Sequence, residues 1–90
     1  MHYILNGHEL VPADLFLWAM WYESADRRVR YDEVGDVRVS TIFLGIRDAI
    51  FETKVFGGPH DEYVAHSDTW DEAEKAHELA LWFVREDAGR

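Results

Sequence analysis

The sequence contains no cysteine, only two prolines in its 90 residues, and no long apolar run. Without thiols the chain cannot form a disulfide, a thiolate nucleophile or a cysteine zinc site, so any metal would need histidine and carboxylate ligands. No apolar stretch approaches the roughly 18 residues of a membrane span. These absences exclude disulfide scaffolds and cysteine-based catalysis, and they predict no membrane-spanning helix.

Positive charge is scarce as well, since nine Lys and Arg residues stand against 18 Asp and Glu residues and give a net charge of −9. Such a charge repels nucleic acids and anionic membrane surfaces, and it favours basic partners. Between Asp61 and Glu78 there are seven acidic residues and a single base, Lys75. The charge therefore predicts a protein partner, with no direct nucleic-acid or membrane binding.

The chain does contain enough apolar sequence for one core, because 48% of its residues are hydrophobic and 14% are aromatic. Its length favours a single domain over residues 1–90. Asn6-Gly7 is the dipeptide that best fits a two-residue hairpin turn, so we expect a small N-terminal hairpin. Pro12 suits the first turn of a helix, which should end near Ala25. Gly35-Asp36 predicts a further turn.

A second, central hairpin is predicted over residues 38–56 with its turn at Arg47-Asp48. Arg-Asp fits the positive φ angles of a tight hairpin turn poorly, so the alternative is a longer loop from Gly45 to Ile50 with a shifted register. Strand alternation then places one almost wholly apolar face toward the core: Ile42, Leu44, Ile46, Ala49, Phe51, Thr53 and Val55. The opposite face would carry Phe43 and Phe56 in a mixture of apolar and charged residues. That face is too apolar for free solvation, so we expect Phe43 and Phe56 to form a self-association surface, as in a homodimer.

The clearest helix signal lies near the C-terminus, where Thr69 and Glu72 have the spacing of a capping box. The helix should begin at Trp70 and continue to about Glu86. Together these elements predict an α+β fold: a small antiparallel sheet, made of the N-terminal and central hairpins, with two helices packed on one face.

Four blocks of the sequence resemble, in the same order, a family of small proteins encoded in bacteriophage and prophage genomes. The blocks are NGHELVPADLFLWAMWYESADRRVR, VRVSTIFLG, FETKVFGG and TWDEAEKAHE. Relatives usually carry a longer Gly- and Pro-rich loop after FLG. The resemblance implies action in the host cytoplasm, and it favours an inhibitor of a host nucleic-acid enzyme or of a CRISPR-type defence complex. It assigns no catalytic residue and no cofactor.

The acidic residues supply the candidate binding surface. Asp71, Glu74 and Glu78 are spaced by three and four positions, so their side chains should repeat every ~5 to 6 Å along one side of the last helix. Such a row could imitate the phosphates of DNA and bind a basic groove on a host protein. The predicted partner-binding residues are Asp61, Glu62, Asp68, Asp71, Glu74 and Glu78. The alternative is an ordinary solvated helix face.

Histidines offer the alternative of a small metal-dependent enzyme, built from His77, Glu52 and the His60-Asp61 loop. No two histidines are spaced i and i+4 on one helix, and no HExxH motif occurs, so we predict neither a metal site nor catalytic residues. His77 falls within the apolar arc of the last helix. We expect it to be buried and satisfied by a backbone group or a carboxylate. A third alternative is an accessory phage protein that only oligomerises.

Overall fold

The computed structural model describes residues 1–89, which form six strands and two helices. In chain order these are β1 (His2–Asn6), β2 (Glu9–Ala13), α1 (Leu15–Ser24), β3 (Arg28–Val34), β4 (Val37–Ile46), β5 (Ala49–Phe56), β6 (Val64–Ser67) and α2 (Trp70–Ala88). The strands make one antiparallel sheet in the order β2-β1-β4-β5-β6, and β3 also pairs with β4. Both helices pack on this sheet, which confirms the predicted α+β class. Within residues 1–89 no helix is both long and apolar enough to cross a membrane.

Tight turns join the paired strands close to the predicted positions. The first hairpin pairs Asn6 with Glu9, so its loop is Gly7-His8, one residue later than expected. Val34 pairs with Val37 across the predicted Gly35-Asp36 turn, and the segment before it is a full strand. Each turn holds its two strands antiparallel with few connecting residues.

A β-bulge in β4 decides which side of the central hairpin is buried. Ile46 pairs with Ala49 across the Arg47-Asp48 turn, but Phe43 then pairs with Phe51, so β4 contains one extra residue. An extra residue moves every side chain beyond it to the other face. As a result Val39, Thr41 and Phe43 point into the core beside Val55, Thr53 and Phe51.

The bulge overturns two predictions. Ile42 and Leu44 are only half-buried and Ile46 is exposed, so they are not the core positions of β4. Phe43 is completely buried and therefore cannot belong to an exposed self-association surface, whereas Phe56 is half-buried. The prediction of a surface formed jointly by Phe43 and Phe56 is wrong.

α2 covers the sheet and completes the core. Thr69 caps the helix: its hydroxyl oxygen accepts from the Glu72 N–H at 3.1 Å and its O–H donates to the Glu72 carboxylate at 3.0 Å. This contact confirms the predicted cap. Two apolar clusters lie between the helix and the sheet, one with Val39, Val55, Ala80, Leu81 and Val84, the other with Phe43, Phe51 and Ala73.

α1 begins later than predicted and lies lightly on the sheet. Its cap is Asp14, whose carboxylate accepts from the Leu17 N–H at 2.8 Å. Pro12 instead sits in β2, an edge strand, where a missing N–H costs little. Trp18 Nε1 donates to the Leu44 carbonyl at 3.0 Å, and the Trp21 ring meets Phe43 edge-on. No residue of α1 is fully buried.

Candidate functional site

A chain of hydrogen bonds centred on His77 crosses the core from α2 to the sheet. His77 is fully buried. Its Nδ1 lies 2.8 Å from Thr41 Oγ1 and its Nε2 lies 2.8 Å from Asp32 Oδ2. Thr41 Oγ1 is in turn 2.7 Å from Thr53 Oγ1. The chain thus joins α2 to β3, β4 and β5.

Electrostatics sets the direction of these hydrogen bonds. Burial lowers the pKa of His77, against the opposing effect of Asp32, while the hydrogen bond from His77 lowers the pKa of the Asp32 carboxyl. The ring is therefore neutral beside a carboxylate. Because a carboxylate only accepts, Nε2 carries the proton and Nδ1 accepts from the Thr41 hydroxyl, whose oxygen accepts from Thr53. Every donor in the chain has an acceptor.

The series of hydrogen bonds around His77 continues to the protein surface through Arg30. The Arg30 guanidinium contacts Asp32 at 3.2 Å and also pairs with Glu78. Its hydrogen bond to Glu78 raises the pKa of Arg30 and lowers the pKa of the Glu78 carboxyl. Glu78 follows His77 directly in the sequence. One turn of α2 is therefore held twice, by the hydrogen bonds of His77 in the core and by the contact of Glu78 with Arg30 of β3 at the surface.

The carboxylate, imidazole and hydroxyl stand in the order of a nucleophilic catalytic triad, but the hydroxyl is enclosed in the core. Thr41 is fully buried, and its hydroxyl lies between His77 and Thr53. A nucleophile must reach its substrate, and this hydroxyl contacts only other side chains. We interpret the arrangement as an anchor that holds α2 on the sheet.

The prediction that a carboxylate or backbone group satisfies His77 is confirmed, but the sequence did not reveal its partners. Asp32 lies 45 residues away and Thr41 lies 36 residues away. The only signal in the sequence was the position of His77 on the apolar arc of a helix. A buried polar residue requires a hydrogen-bond partner, but its position does not show which residue that partner is.

The other four histidines contact groups outside the His77 hydrogen bonds, and the rings of His2 and His8 pack against Trp18 and Trp70. His66 pairs with Glu52 at 3.1 Å, and His60 pairs with Asp87 near the end of α2. Glu52 and the buried Thr53 are neighbours on β5, so their side chains point to opposite faces of the sheet. Glu52 therefore points away from the hydrogen bonds of His77. Across residues 1–89, no group of three or more His, Cys, Asp or Glu side chains is arranged to hold a metal ion.

Three of the six predicted binding residues lie together on α2. Asp71, Glu74 and Glu78, here called the acidic row, border an open depression together with Arg30 and Lys75. Glu78 is paired with Arg30. Asp71 and Glu74 are exposed and make no ion pair with any side chain in residues 1–89.

Of the remaining predicted residues, Asp61 and Glu62 do not extend the acidic row into one continuous surface. Asp68 is exposed just before the helix cap. Asp61 and Glu62 lie in the loop between β5 and β6, where the Asp61 carboxylate accepts from the Gly57 N–H at 2.7 Å. The neighbouring His60 contacts Asp87, 16 residues after Asp71 and so about 24 Å farther along the helix axis.

The acidic row presents exposed carboxylates on α2, whereas His77 on the same helix is buried in the core. The chain has no match among known protein families, curated proteins or solved structures. The functional inference therefore depends on the geometry of this molecule.

Proposed function

We propose that the protein is a non-catalytic binding protein that inhibits a nucleic-acid enzyme by docking its acidic row on the enzyme's basic nucleic-acid-binding surface. One observation carries the proposal. Asp71 and Glu74 present exposed carboxylates, free of ion pairs within residues 1–89, on a helix whose opposite side is fixed in the core.

The anchoring of α2 supports this function because a preorganised surface loses little conformational entropy on binding. The helix has 19 residues and is capped by Thr69. Its inner side is held by five buried residues: Ala73, His77, Ala80, Leu81 and Val84. The carboxylates on its outer side therefore keep their relative positions in the free protein.

The carboxylates that make no ion pair supply most of the attraction in the proposed docking surface. Glu78 shares its charge with Arg30, so we assign most of the attraction to Asp71, Glu74 and the nearby Asp68. Carboxylates repeating at ~5 to 6 Å offer a basic groove the kind of regular negative charge that nucleic acid offers it. The net charge of −9 would also steer the protein toward such a groove and speed association at low salt.

The resemblance to phage-encoded proteins supports a host enzyme as the target and the host cytoplasm as the place of action. A defence nuclease complex of the CRISPR type would be one such target. The inhibitor would occupy the basic groove of its target and exclude the nucleic acid.

The first test is capture from a lysate of a bacterium that carries related prophages, followed by affinity measurements with the purified captured protein. We expect a nucleic-acid enzyme to bind at low salt. The double variant Asp71→Lys/Glu74→Lys should weaken binding at least tenfold, because two charges at the contact are reversed.

The matched control is Asp36→Lys/Glu86→Lys, which makes the same change in net charge at exposed positions near the C-terminal end of α2, away from the acidic row. This variant should retain binding within about threefold, since distant charges are screened at physiological salt. Equal losses in both variants would show that only net charge matters. Unchanged binding in the Asp71/Glu74 variant would remove the acidic row from the interface.

A further inference from the structure

α1 is apolar on every side yet is not buried. Glu23 is the single charged residue among its ten. A helix that is hydrophobic all round is normally enclosed by the protein. Here four large apolar side chains are exposed by 47 to 75%: Leu15, Phe16, Leu17 and Met20. Only another molecule could cover these side chains of α1 and exclude water from them.

Helical spacing separates the inner side of α1 from its outer side. Trp18 and Trp21 contact the sheet. Phe16, Ala19 and Met20 are spaced by three and four residues, so they share the opposite, exposed side. We propose that this outer side is the contact between two copies of the chain, with the two α1 helices antiparallel and crossing near Ala19.

The shape of the outer side is self-complementary. Two large side chains, Phe16 and Met20, lie one turn apart, and the small Ala19 lies beside them on the outer side of the helix. A two-fold axis brings the same surface of both copies together, so the large residues of each helix can fill the space beside Ala19 of the other. A partner of different sequence would have to supply this complementary shape, whereas a second copy already has it.

The exposed area is sufficient for a weak dimer. Scaling ordinary side-chain areas by the exposed fractions of Phe16, Met20 and the flanking Leu15 gives on the order of 400 Å² of apolar surface per copy. Two copies would then bury roughly 800 Å², the size of a weak, transient contact. We therefore expect a weak dimer, with a dissociation constant in the micromolar range.

Charge also favours contact through α1. Two acidic copies repel each other, and α1 contributes only Glu23 to that repulsion, whereas α2 carries six acids against two bases. An anionic membrane surface is a poorer occupant, because α1 contains no Lys or Arg and the protein carries −9. The proposal goes beyond the binding function and does not depend on the acidic row.

Analytical ultracentrifugation tests the proposal at protein concentrations from about 1 to about 200 µM, which bracket a micromolar dissociation constant. We expect a reversible monomer to dimer transition. Phe16→Asp should raise the dissociation constant at least tenfold, because it places a charge at the centre of an apolar contact. The matched control Leu79→Asp alters a half-exposed side chain on α2 and should leave the transition unchanged.

Phe16 is 75% exposed, so the variant should fold, and Met20→Asp provides a second variant with the same expected result. Dimerisation should also persist in Asp71→Lys/Glu74→Lys, which separates this proposal from the binding function. A wild-type protein that stays monomeric throughout the range overturns the proposal. Binding of that monomer to lipid vesicles through Phe16 would assign the surface to a membrane instead.

The absence of cysteine allows a direct test of helix orientation. Ala19→Cys lies near the proposed crossing point, so oxidation should link two copies. Leu15→Cys would lie about 13 Å from its counterpart in an antiparallel pair, beyond disulfide reach, and should not link. Efficient linking at both positions would contradict the antiparallel arrangement.

Discussion

Replacing Gly45 by alanine is expected to lower the free energy of unfolding by at least about 3 kcal/mol, which is a large share of the stability of a domain this small. Gly45 has a φ of +71°, a conformation that costs other residues free energy. An added Cβ would also overlap the backbone oxygen of Tyr3, and it would lie 2.8 Å from Phe43 Cε2 and 2.9 Å from Trp18 Nε1. The Tyr3 oxygen belongs to a paired strand and cannot easily move.

Gly35→Ala is the matched control for this prediction. Gly35 has a similar φ of +59°, but its added Cβ would meet nothing within 4 Å. This variant therefore incurs only the backbone cost, about 1 to 2 kcal/mol. Urea denaturation followed by tryptophan fluorescence measures both values. Equal losses would show that close packing at the bulge is not what requires glycine at position 45.

The stability of the Gly45 variant also shows whether the core requires the bulge, because the bulge contains Gly45 and turns Phe43 into the core. A protein that tolerated a side chain at position 45 would have room for an unbulged strand. In such a strand Leu44 would pair with Phe51, and Phe43 would return to the outer face.

His77→Ala is expected to cost about 3 to 5 kcal/mol. The change leaves a cavity in the core and removes hydrogen-bonding partners from Asp32 and from the buried Thr41. His66→Ala is the matched control, because His66 is exposed and pairs only with Glu52 at the surface. Its expected cost is below about 1 kcal/mol. Similar losses in both variants would contradict the anchoring role of His77.

Acidity should reduce the difference between wild type and His77→Ala. Burial lowers the pKa of folded His77 below its ordinary value of 6.5, so as the pH falls through 6.5 the unfolded chain takes up a proton that the folded protein does not. Proton uptake by His77 in the unfolded chain therefore lowers the stability of the wild type on acidification. The alanine variant has no side chain at this position that could take up a proton. The two free energies of unfolding should converge between about pH 7 and about pH 5. A constant difference would mean that His77 is not buried in its neutral form.

Local signals in the sequence were sufficient to predict most elements. Thr69 and Glu72 identified the start of α2, and Gly35-Asp36 identified a turn. Pro12 was misassigned because its fixed φ suits an edge strand as well as a first helical turn. The register of β4 was misassigned for another reason: both of its faces are apolar, so alternation alone could not show which one is buried, and Gly45 was the only trace of the bulge.

The acidic row could be predicted because its three residues belong to one helix, where spacing fixes their relative positions. Asp61 and Glu62 could not be placed, since their distance from Asp71 depends on how the loop after β5 folds back. The partners of His77 were equally out of reach, because a hydrogen bond across 45 residues leaves no periodic signal in the sequence.

The buried His77 hydrogen bonds hold α2, and with it the acidic row, on the sheet, and long-range ¹H–¹⁵N NMR of the His77 ring can check this arrangement. At pH 6.5 a freely exposed histidine is half protonated. We expect a neutral His77 ring at that pH, with its proton on Nε2 and slow exchange of that proton with solvent. A half-protonated ring, or a proton on Nδ1 that exchanges rapidly, would contradict the anchor and reopen the case for an enzyme.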